Sequence, residues 1–433
     1  MVKHMQQANY DIVIVGGGMV GASMALAVAG IAQRYQLNIA IIDAAKTETT
    51  TPTAAGSLDG RATALALGSR NLLASIGVWP ALESYAQAIV DIDVSDQGQP
   101  FGAQLHADDM AQEALGYVLQ NQHIGEVFWQ QLNQHCADLV TIVDQAQVLA
   151  LDNARQNSRV IYERNIDGIT QQVEVTCQLI IMADGGRSTL REDLGMYNQQ
   201  QSYEQVALVV NVVLDKAHQG LACERFTANG PMAVLPLLPV QQQHRAAIVW
   251  TQPKQRAQAL AAMDNEQLLV ALQNQVGFRM GEFQALGERQ IYPLSLSVAQ
   301  EQVRQGLAVI GNAAHTLHPI AGQGFNLALR GAFALAEQIH KACQAQAPLG
   351  DLTYLHAFLA TSRWDQKLTV GASDQIMKLF SSQQKSLTWG RQMGLLAMQN
   401  LPLAKTVFTR VAMGLDQPLA EILPVPTLEV QHD

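Results

Sequence analysis

The stretch Tyr10–Asp43, Y-D-I-V-I-V-G-G-G-M-V-G-A-S-M-A-L-A-V-A-G-I-A-Q-R-Y-Q-L-N-I-A-I-I-D, decides the architecture. Tyr10 to Val15 is an apolar, β-branched run suited to a buried strand. Gly16, Gly18 and Gly21 follow at once in G-x-G-x-x-G spacing. Ala22 to Ala32 predicts a helix, and Leu37 to Ile42 a second strand that ends on Asp43. Strand, glycine turn, helix, strand and acid together form the dinucleotide-binding fingerprint in its proper setting. Gly16 allows the turn, Gly18 lets a pyrophosphate approach the backbone, and Gly21 lets the helix pack on the strand. Asp43 is placed to accept hydrogen bonds from the adenosine ribose. The fingerprint alone does not distinguish a nicotinamide from a flavin dinucleotide.

A second glycine-bearing loop lies far downstream. Leu307 to Ile310 reads as a short buried strand that Gly311 breaks. Asn312, His315, His318, Pro319, Gly322, Gln323, Gly324 and Asn326 follow. Phe325, Leu329, Ala332, Phe333, Ala336 and Ile339 then recur at helical spacing. A helix therefore begins near Gly322 to Phe325, and its free N–H groups and positive dipole end face whatever lies before the loop. That suits a group that is or becomes negative, such as a reduced flavin. The same residues also read as a plain Gly-rich connection into a core helix. His315 and His318 titrate in the range useful for acid–base chemistry, and equally suit local hydrogen bonds.

Between these loops the pattern changes twice. Asp59 to Leu65 reads as the opening of an apolar helix. Arg61 at its start reaches toward a pyrophosphate or an active site, or is a solvated surface arginine. Ile89 to Ser95 alternates polar and apolar, as a half-buried antiparallel strand does. Gly116 to Leu119 is a strand and Ile124 to Cys136 a helix. Val140 to Ala150, Arg159 to Glu163 and Gln172 to Met182 make a meander. Its last strand runs into Asp184 and Gly185, a ligand-facing corner of an open α/β sheet or a capped turn. Val206 to Leu214, Met232 to Leu238 and Ala246 to Thr251 are strand-like, and Glu266 to Val276 is helical with Asp264 or Asn265 as its cap. A pocket for a small apolar ligand is expected between the two layers.

The fold expected is α/β: a Rossmann-like cofactor-binding domain, an inserted, mostly antiparallel β-sheet substrate domain, and a helical C-terminal tail. The cofactor domain takes 8–75, 100–190 and 300–345, the substrate domain 76–99 and 191–299, and the tail 346–433. Apolar spacing in the tail fits docking on its own protein, on a partner or on lipid, with docking on its own domain favoured.

Composition narrows the function. The 433 residues allow two or three domains. A net charge of −10 without a basic block argues against nucleic-acid binding. Cys136, Cys177, Cys223 and Cys343 lie far apart with no C-x-x-C pair, which disfavours a disulfide framework or zinc site and fits a reducing compartment. The N-terminus shows no signal peptide, and no apolar run approaches the ~18–20 residues that cross a bilayer. A cytoplasmic protein, at most peripheral on the inner membrane, is expected.

Taken together, the fingerprint with Asp43, the Asp184–Gly185 corner and the Gly311–Asn326 loop resemble the single-component, FAD-dependent aromatic hydroxylases of p-hydroxybenzoate-hydroxylase-like fold. Within that group the chain is similar to the ubiquinone-biosynthesis hydroxylases, over nearly its whole length. Matching stretches are G-G-G-M-V-G-A-S at 16–23, D-G-R-A-T-A-L at 59–65, G-P-M-A-V-L-P-L at 230–237, G-N-A-A-H-T-L-H-P-I-A-G-Q-G-F-N-L at 311–327 and D-Q-I-M-K-L-F-S at 374–381. The 311–327 stretch is the specific one.

The resemblance implies an enzyme that binds FAD and takes electrons from NAD(P)H. It would hydroxylate the aromatic ring of a polyprenylated phenol with O2, by way of a C4a-hydroperoxyflavin. Gly16, Gly18 and Gly21 would then cradle the pyrophosphate, with Arg61 near it, Asp43 would hold the ribose, and Val148 would offer backbone to the adenine. Asp184 and Gly185 form the second FAD motif, and Asn312 meets the ribityl chain. Gly322, Gln323, Gly324 and Asn326 belong to the loop that offers N–H groups to the flavin. His318 and Pro319 border the isoalloxazine ring.

In two places the chain departs from most relatives. Asn312 stands where they carry Asp, and Glu126 and Val127 occupy a helix where many carry a basic residue. Partners implied are the phenol, O2, and a biosynthetic complex or peripheral membrane contact. Rival readings are another flavin chemistry on this fold, another aromatic substrate, or a flavoprotein subunit with little turnover of its own.

Overall fold

The computed structural model describes residues 8–46, 60–154, 157–166, 169–186, 189–316, 322–381, 385–416 and 420–426. The fingerprint strand, Ala8–Val15, lies inside a parallel sheet. Ile39–Ile42 flanks it on one side and Ile169–Met182 on the other. Val140–Val143 and Leu307–Val309 extend the sheet, again parallel. Both faces are covered, so Ile12, Val13 and Ile14 lose all exposure, which explains an apolar run without alternation.

One face packs against the fingerprint helix Met19–Tyr35, itself in contact with Gln323–Gln344 and Asn121–His135. The first helix is rich in Ala and Gly because helices crowd it on several sides; Gly21 to Ala32 are all buried. The other face, with Val13, Val15, Ala40 and Ile42, is covered by Val148, Val160 and Tyr162 of the antiparallel meander Ala146–Asp152, Ser158–Ile166 and Ile169–Met182.

The parallel register has a direct consequence. Val15 pairs with Ile42 and Met182, and Met182 pairs with Val309. Hence the glycine turn, Asp43, Asp184 and Gly311 all emerge at the same, C-terminal edge of the sheet.

A nine-stranded, mostly antiparallel sheet forms the second layer. Its long strand Asn198–Leu214 lies between Gln243–Pro253 and Gln290–Ala299. Gly230–Val240, Leu221–Thr227, Asp91–Asp96 and Gly102–His106 continue it. Helices Lys254–Ala262 and Asn265–Val276 cover one face through Leu260, Leu268 and Leu272. Asp264 caps the second of these, accepting from the Gln267 N–H at 2.8 Å. The opposite face looks toward the first layer. A three-stranded sheet, Ala62–Ala66, Gly116–Gln120 and Gln87–Ile89, joins the layers.

Local details differ from the sequence reading. Asp59 to Leu65 does not open a helix: Ala62–Ala66 is a strand paired with Gly116–Gln120, and the helix starts at Leu67. Cross-strand pairing overrides the helix preference of this Ala-rich segment. Gly102–His106, read as part of the cofactor layer, pairs with Asp91–Asp96 in the nine-stranded sheet. Val140 to Ala150 is two strands broken at Gln145, whose φ is 49°.

The C-terminal region consists of helices Leu352–Ser381, Lys385–Asn400 and Pro402–Ala412. The first packs on Gln323–Gln344 through the bidentate Arg330–Asp365 pair, at 2.7 and 3.0 Å. The second lies on Gly102–His106, where Gln392 and Gln399 accept backbone N–H groups and Arg391 meets Asp96 at 3.2 Å. The last leaves an apolar stripe uncovered: Leu403 is 83% exposed and Val407 62%. All three helices dock on their own protein, the last through helix Lys385–Asn400 and a Lys405–Asp109 pair at 2.7 Å, while its apolar stripe stays exposed. Among the described residues no helix is long and apolar enough to cross a membrane.

Candidate active site

A cleft of about 1110 Å³ runs between the two layers along the C-terminal edge of the parallel sheet. Gly16, Gly18, Asp43, Arg61, Val148, Asp184, Gly185, Asn312, Gly322 and Gly324 all line it. Gly16, Asp43, Asp184 and Asn312 converge because each follows a strand that ends at this edge. Arg61 instead precedes Ala62–Ala66, Val148 lies within Ala146–Asp152, and Gly322 and Gly324 lie at the start of helix Gln323–Gln344.

The glycines show what the cleft is shaped to admit. A Cβ on Gly18 or Gly324 would meet nothing within 4 Å. Both positions leave backbone open to a ligand. A Cβ on Gly16 would lie 2.7 Å from the Ala183 oxygen, and one on Gly21 1.8 Å from the Gly16 oxygen. These two glycines serve packing, and Gly21 lies behind the wall. Helix Gln323–Gln344 starts from Gly322, whose φ of 64° is left-handed. Its uncapped N–H groups therefore open at Gly324 into the cleft.

Asp43 is oriented by its own backbone. One carboxylate oxygen accepts from the Gly17 N–H, the other from the Ala45 N–H at 2.7 Å. Each oxygen retains a lone pair for a further donor. Arg61 lies with its guanidinium 4.8 Å from the Tyr292 ring centre, on the side of the cleft formed by the large sheet. Asn312 sits on the turn Gly311–Ala313. Buried Arg191 holds that turn from behind, donating to the carbonyls of Ala313 and Met196.

Asn326 corrects a sequence expectation. It does not reach the cleft. Its amide accepts from the Ala66 N–H at 2.8 Å and donates to the carbonyls of Ala64 and Gly322 at 2.8 and 2.9 Å. It clamps the start of the loop helix onto the joining sheet. Gln323 likewise is absent from the cleft wall. His315 also departs from expectation: it is buried, and burial pushes its imidazole down to about 4. It stays neutral near pH 7 and does not titrate there. His318 and Pro319 lie outside the described residues.

The strand-like stretch Met232 to Leu238, a candidate apolar wall for the substrate, supplies Ala233 and Leu235 to the far side of the cleft; motifs did not reveal the rest of that wall. Ala207, Val209, Ala233, Leu235, Val249 and Leu294 project from the nine-stranded sheet and make that end of the cleft apolar. Most of these residues lie in stretches that read as apolar, strand-like runs, which does not show which face would meet the cofactor layer.

An open dinucleotide cradle that continues into an apolar chamber defines the class: a two-layer flavoprotein fold with a site for FAD and an apolar reactant. The residues fit FAD, since Gly18 and Gly324 leave the two backbone approaches free. Comparison with known proteins agrees. The family model described as "FAD binding domain" matches residues 9–356. The ubiquinone hydroxylase UbiL of Rhodospirillum rubrum is 32% identical over 93% of this chain and 89% of its own. The 3-demethoxyubiquinol 3-hydroxylase of Escherichia coli is 28% identical over 94% of this chain and 98% of its own. Among solved structures, p-nitrophenol 4-monooxygenase PnpA from Pseudomonas putida superposes with a TM-score of 0.72 at 16% identity, over 93% of this chain and 97% of that one. The chain belongs to this FAD-binding family and is an FAD-dependent monooxygenase of p-hydroxybenzoate-hydroxylase-like fold.

Proposed function

We propose that this chain hydroxylates the aromatic ring of a polyprenylated phenol in ubiquinone biosynthesis, with FAD as cofactor, NAD(P)H as electron donor and O2 as the oxygen source. The named activities of its relatives support the pathway. The observation that carries the reading is the continuity of one cleft from the Gly18 cradle to the apolar sheet wall. When bound, FAD supplies two-electron chemistry and activation of O2; the chain binds, orients and excludes water.

Gly18 would receive the pyrophosphate, Asp43 the ribose, and the backbone at Val148 the adenine. Asp184, Gly185 and Asn312 would meet the middle of the cofactor. The N–H groups beginning at Gly324 would face the flavin's pyrimidine edge, where negative charge gathers on reduction. His318 and Pro319 would border the ring system. Ala233, Leu235 and Val249 would keep water from the reacting face and give the isoprenoid an apolar path.

Leu403, Val407, Phe408 and Val411 form the exposed stripe of the last helix. It supports a peripheral contact with lipid, where such a substrate partitions.

The test is direct. Purified protein should retain FAD, oxidise NAD(P)H faster when phenol is added, and place one atom of labelled O2 on the ring. A coloured protein that passes no label into product would instead favour the subunit reading. A cell lacking the gene should accumulate the phenol that is the substrate.

A further inference from the structure

Strand Leu221–Thr227 carries an acid that nothing above uses. Glu224 stands opposite Ala233 on one neighbouring strand and opposite Val94 on the other. Paired positions share a face of a sheet. Ala233 in turn stands opposite Val249, and both line the cleft. Glu224 therefore projects on the cleft side, one strand beyond the apolar wall. Ala222, on the same face, packs in the apolar cluster with Leu235 and Ala247. The alternate residues Cys223 and Arg225 point to the other face, where Cys223 meets Val234 and Ile248, and Arg225 donates to Ser95 at 3.2 Å.

Among the described residues, the charges on neighbouring strand positions have partners of their own. Asp93, opposite Cys223, pairs with Arg279 on the far face. Asp96 shares the cleft-side face and is taken up by Arg391 at 3.2 Å. Helix Leu352–Ser381 also packs on the strands Leu221–Thr227 and Gly230–Val240. Burial pushes the Glu224 carboxyl up to about 7. Glu224 is half-buried and lies one strand from Ala233, which lines the cleft. Among the described residues the Glu224 side chain has no hydrogen-bond or ion-pair partner, and an unpaired buried acid costs the fold stability.

We propose that Glu224 is the base that accepts the phenolic proton of the substrate. The role rests on the hydroxylase reading above. The phenol O–H bond breaks, a new O–H bond forms on the carboxylate, and the electron pair left on oxygen flows into the ring. The ring carbon conjugated to that oxygen becomes the better nucleophile for the incoming oxygen atom. No electron is exchanged in this step, and the proton returns to the product's oxygen afterwards. A phenol ordinarily ionises near pH 10, as Tyr does, and a base poised near neutrality is matched to the transfer.

The experiment compares holoenzyme carrying Glu224→Gln with wild type on two phenols. One is an ordinary alkylphenol. The other bears electron-withdrawing groups and is already ionised at the assay pH. We expect Glu224→Gln to lose about 100-fold in product formation on the first and to approach wild type on the second. Bound phenol gives an independent readout. Its ultraviolet phenolate band should appear at higher pH in wild type than in Glu224→Gln, because a carboxylate beside the phenol opposes a second negative charge.

Melting temperature checks folding. The folded-state value lies above the ordinary 4.5, so the carboxylate penalty grows as pH rises from 4.5 to 7. Glu224→Gln should therefore melt no lower than wild type at pH 8. Equal activity of the two proteins on the ordinary phenol, or equal loss on both phenols, overturns the assignment. Failure of wild type to form product from either phenol counts against the hydroxylase reading. In that case a phenolate band identical in both proteins overturns the role of Glu224 as well.

Discussion

At the scale of single residues, two glycines of one motif have opposite jobs. Gly18 leaves its Cβ direction empty, whereas a Cβ on Gly21 would collide with the Gly16 carbonyl. Gly18→Val should therefore keep the apoprotein's melting temperature and weaken FAD binding at least tenfold in a fluorescence titration. Gly21→Val should instead fail at folding, read as loss of soluble, cooperative unfolding. Asn326 makes a third case. Its amide makes buried hydrogen bonds to three backbone groups. Asn326→Ala should cost about 2–4 kcal/mol in denaturant unfolding. His315 sets a pH dependence. Its folded value is depressed from 6.5 to about 4. The unfolded chain thus takes up a proton across that window that the folded chain does not. Stability should fall as pH drops from 6.5 toward 4, by about 3 kcal/mol at most. Replacement by Gln should flatten that part of the urea-midpoint profile.

Among elements, the loop helix Gln323–Gln344 is fixed at both ends of its task. Gly322 and Asn326 set its start against Ala62–Ala66, and Arg330 ties its first half to Asp365 of the following helix. Both members of that pair are nearly enclosed, with side chains 11% exposed. Removing one leaves a buried charge, so Arg330→Ala should destabilise by about 3–5 kcal/mol. The double change Arg330→Met with Asp365→Leu should recover much of the loss. The last helix shows the reverse economy. Leu403→Ser with Val407→Ser removes exposed apolar surface, so unfolding should be unchanged while sedimentation with anionic vesicles declines. Retained vesicle binding would remove lipid as the partner of this stripe.

The molecule as a whole works as two layers facing each other across one cleft. The parallel sheet sends its strand ends toward the cofactor, and the antiparallel sheet gives one alternate face to the same space. A ligand spanning such a cleft should stabilise both layers together. FAD at a hundred times its dissociation constant should add about 2.7 kcal/mol to unfolding. The midpoints reported by Trp250, buried in the large sheet, and by far-ultraviolet dichroism should rise in step.

Local sequence determined a good deal. Tyr10 to Asp43 specified strand, turn, helix and acid, because close packing around a pyrophosphate tolerates few side chains at those spacings. The breaks at Gly311 and Gly322 marked the second loop for the same reason. Tertiary structure alone decided the rest. Ala62–Ala66 became a strand because Gly116–Gln120 pairs with it, and its Ala-rich sequence has no local preference strong enough to resist. Asn326 moved from the cleft to the clamp because backbone groups of Ala64 and Ala66, distant in the chain, and of Gly322, one turn away, converge on it. Glu224 and the apolar wall acquired meaning only through register. Alternation tells which residues share a face, but only the packing of one sheet on another tells which face meets the ligand.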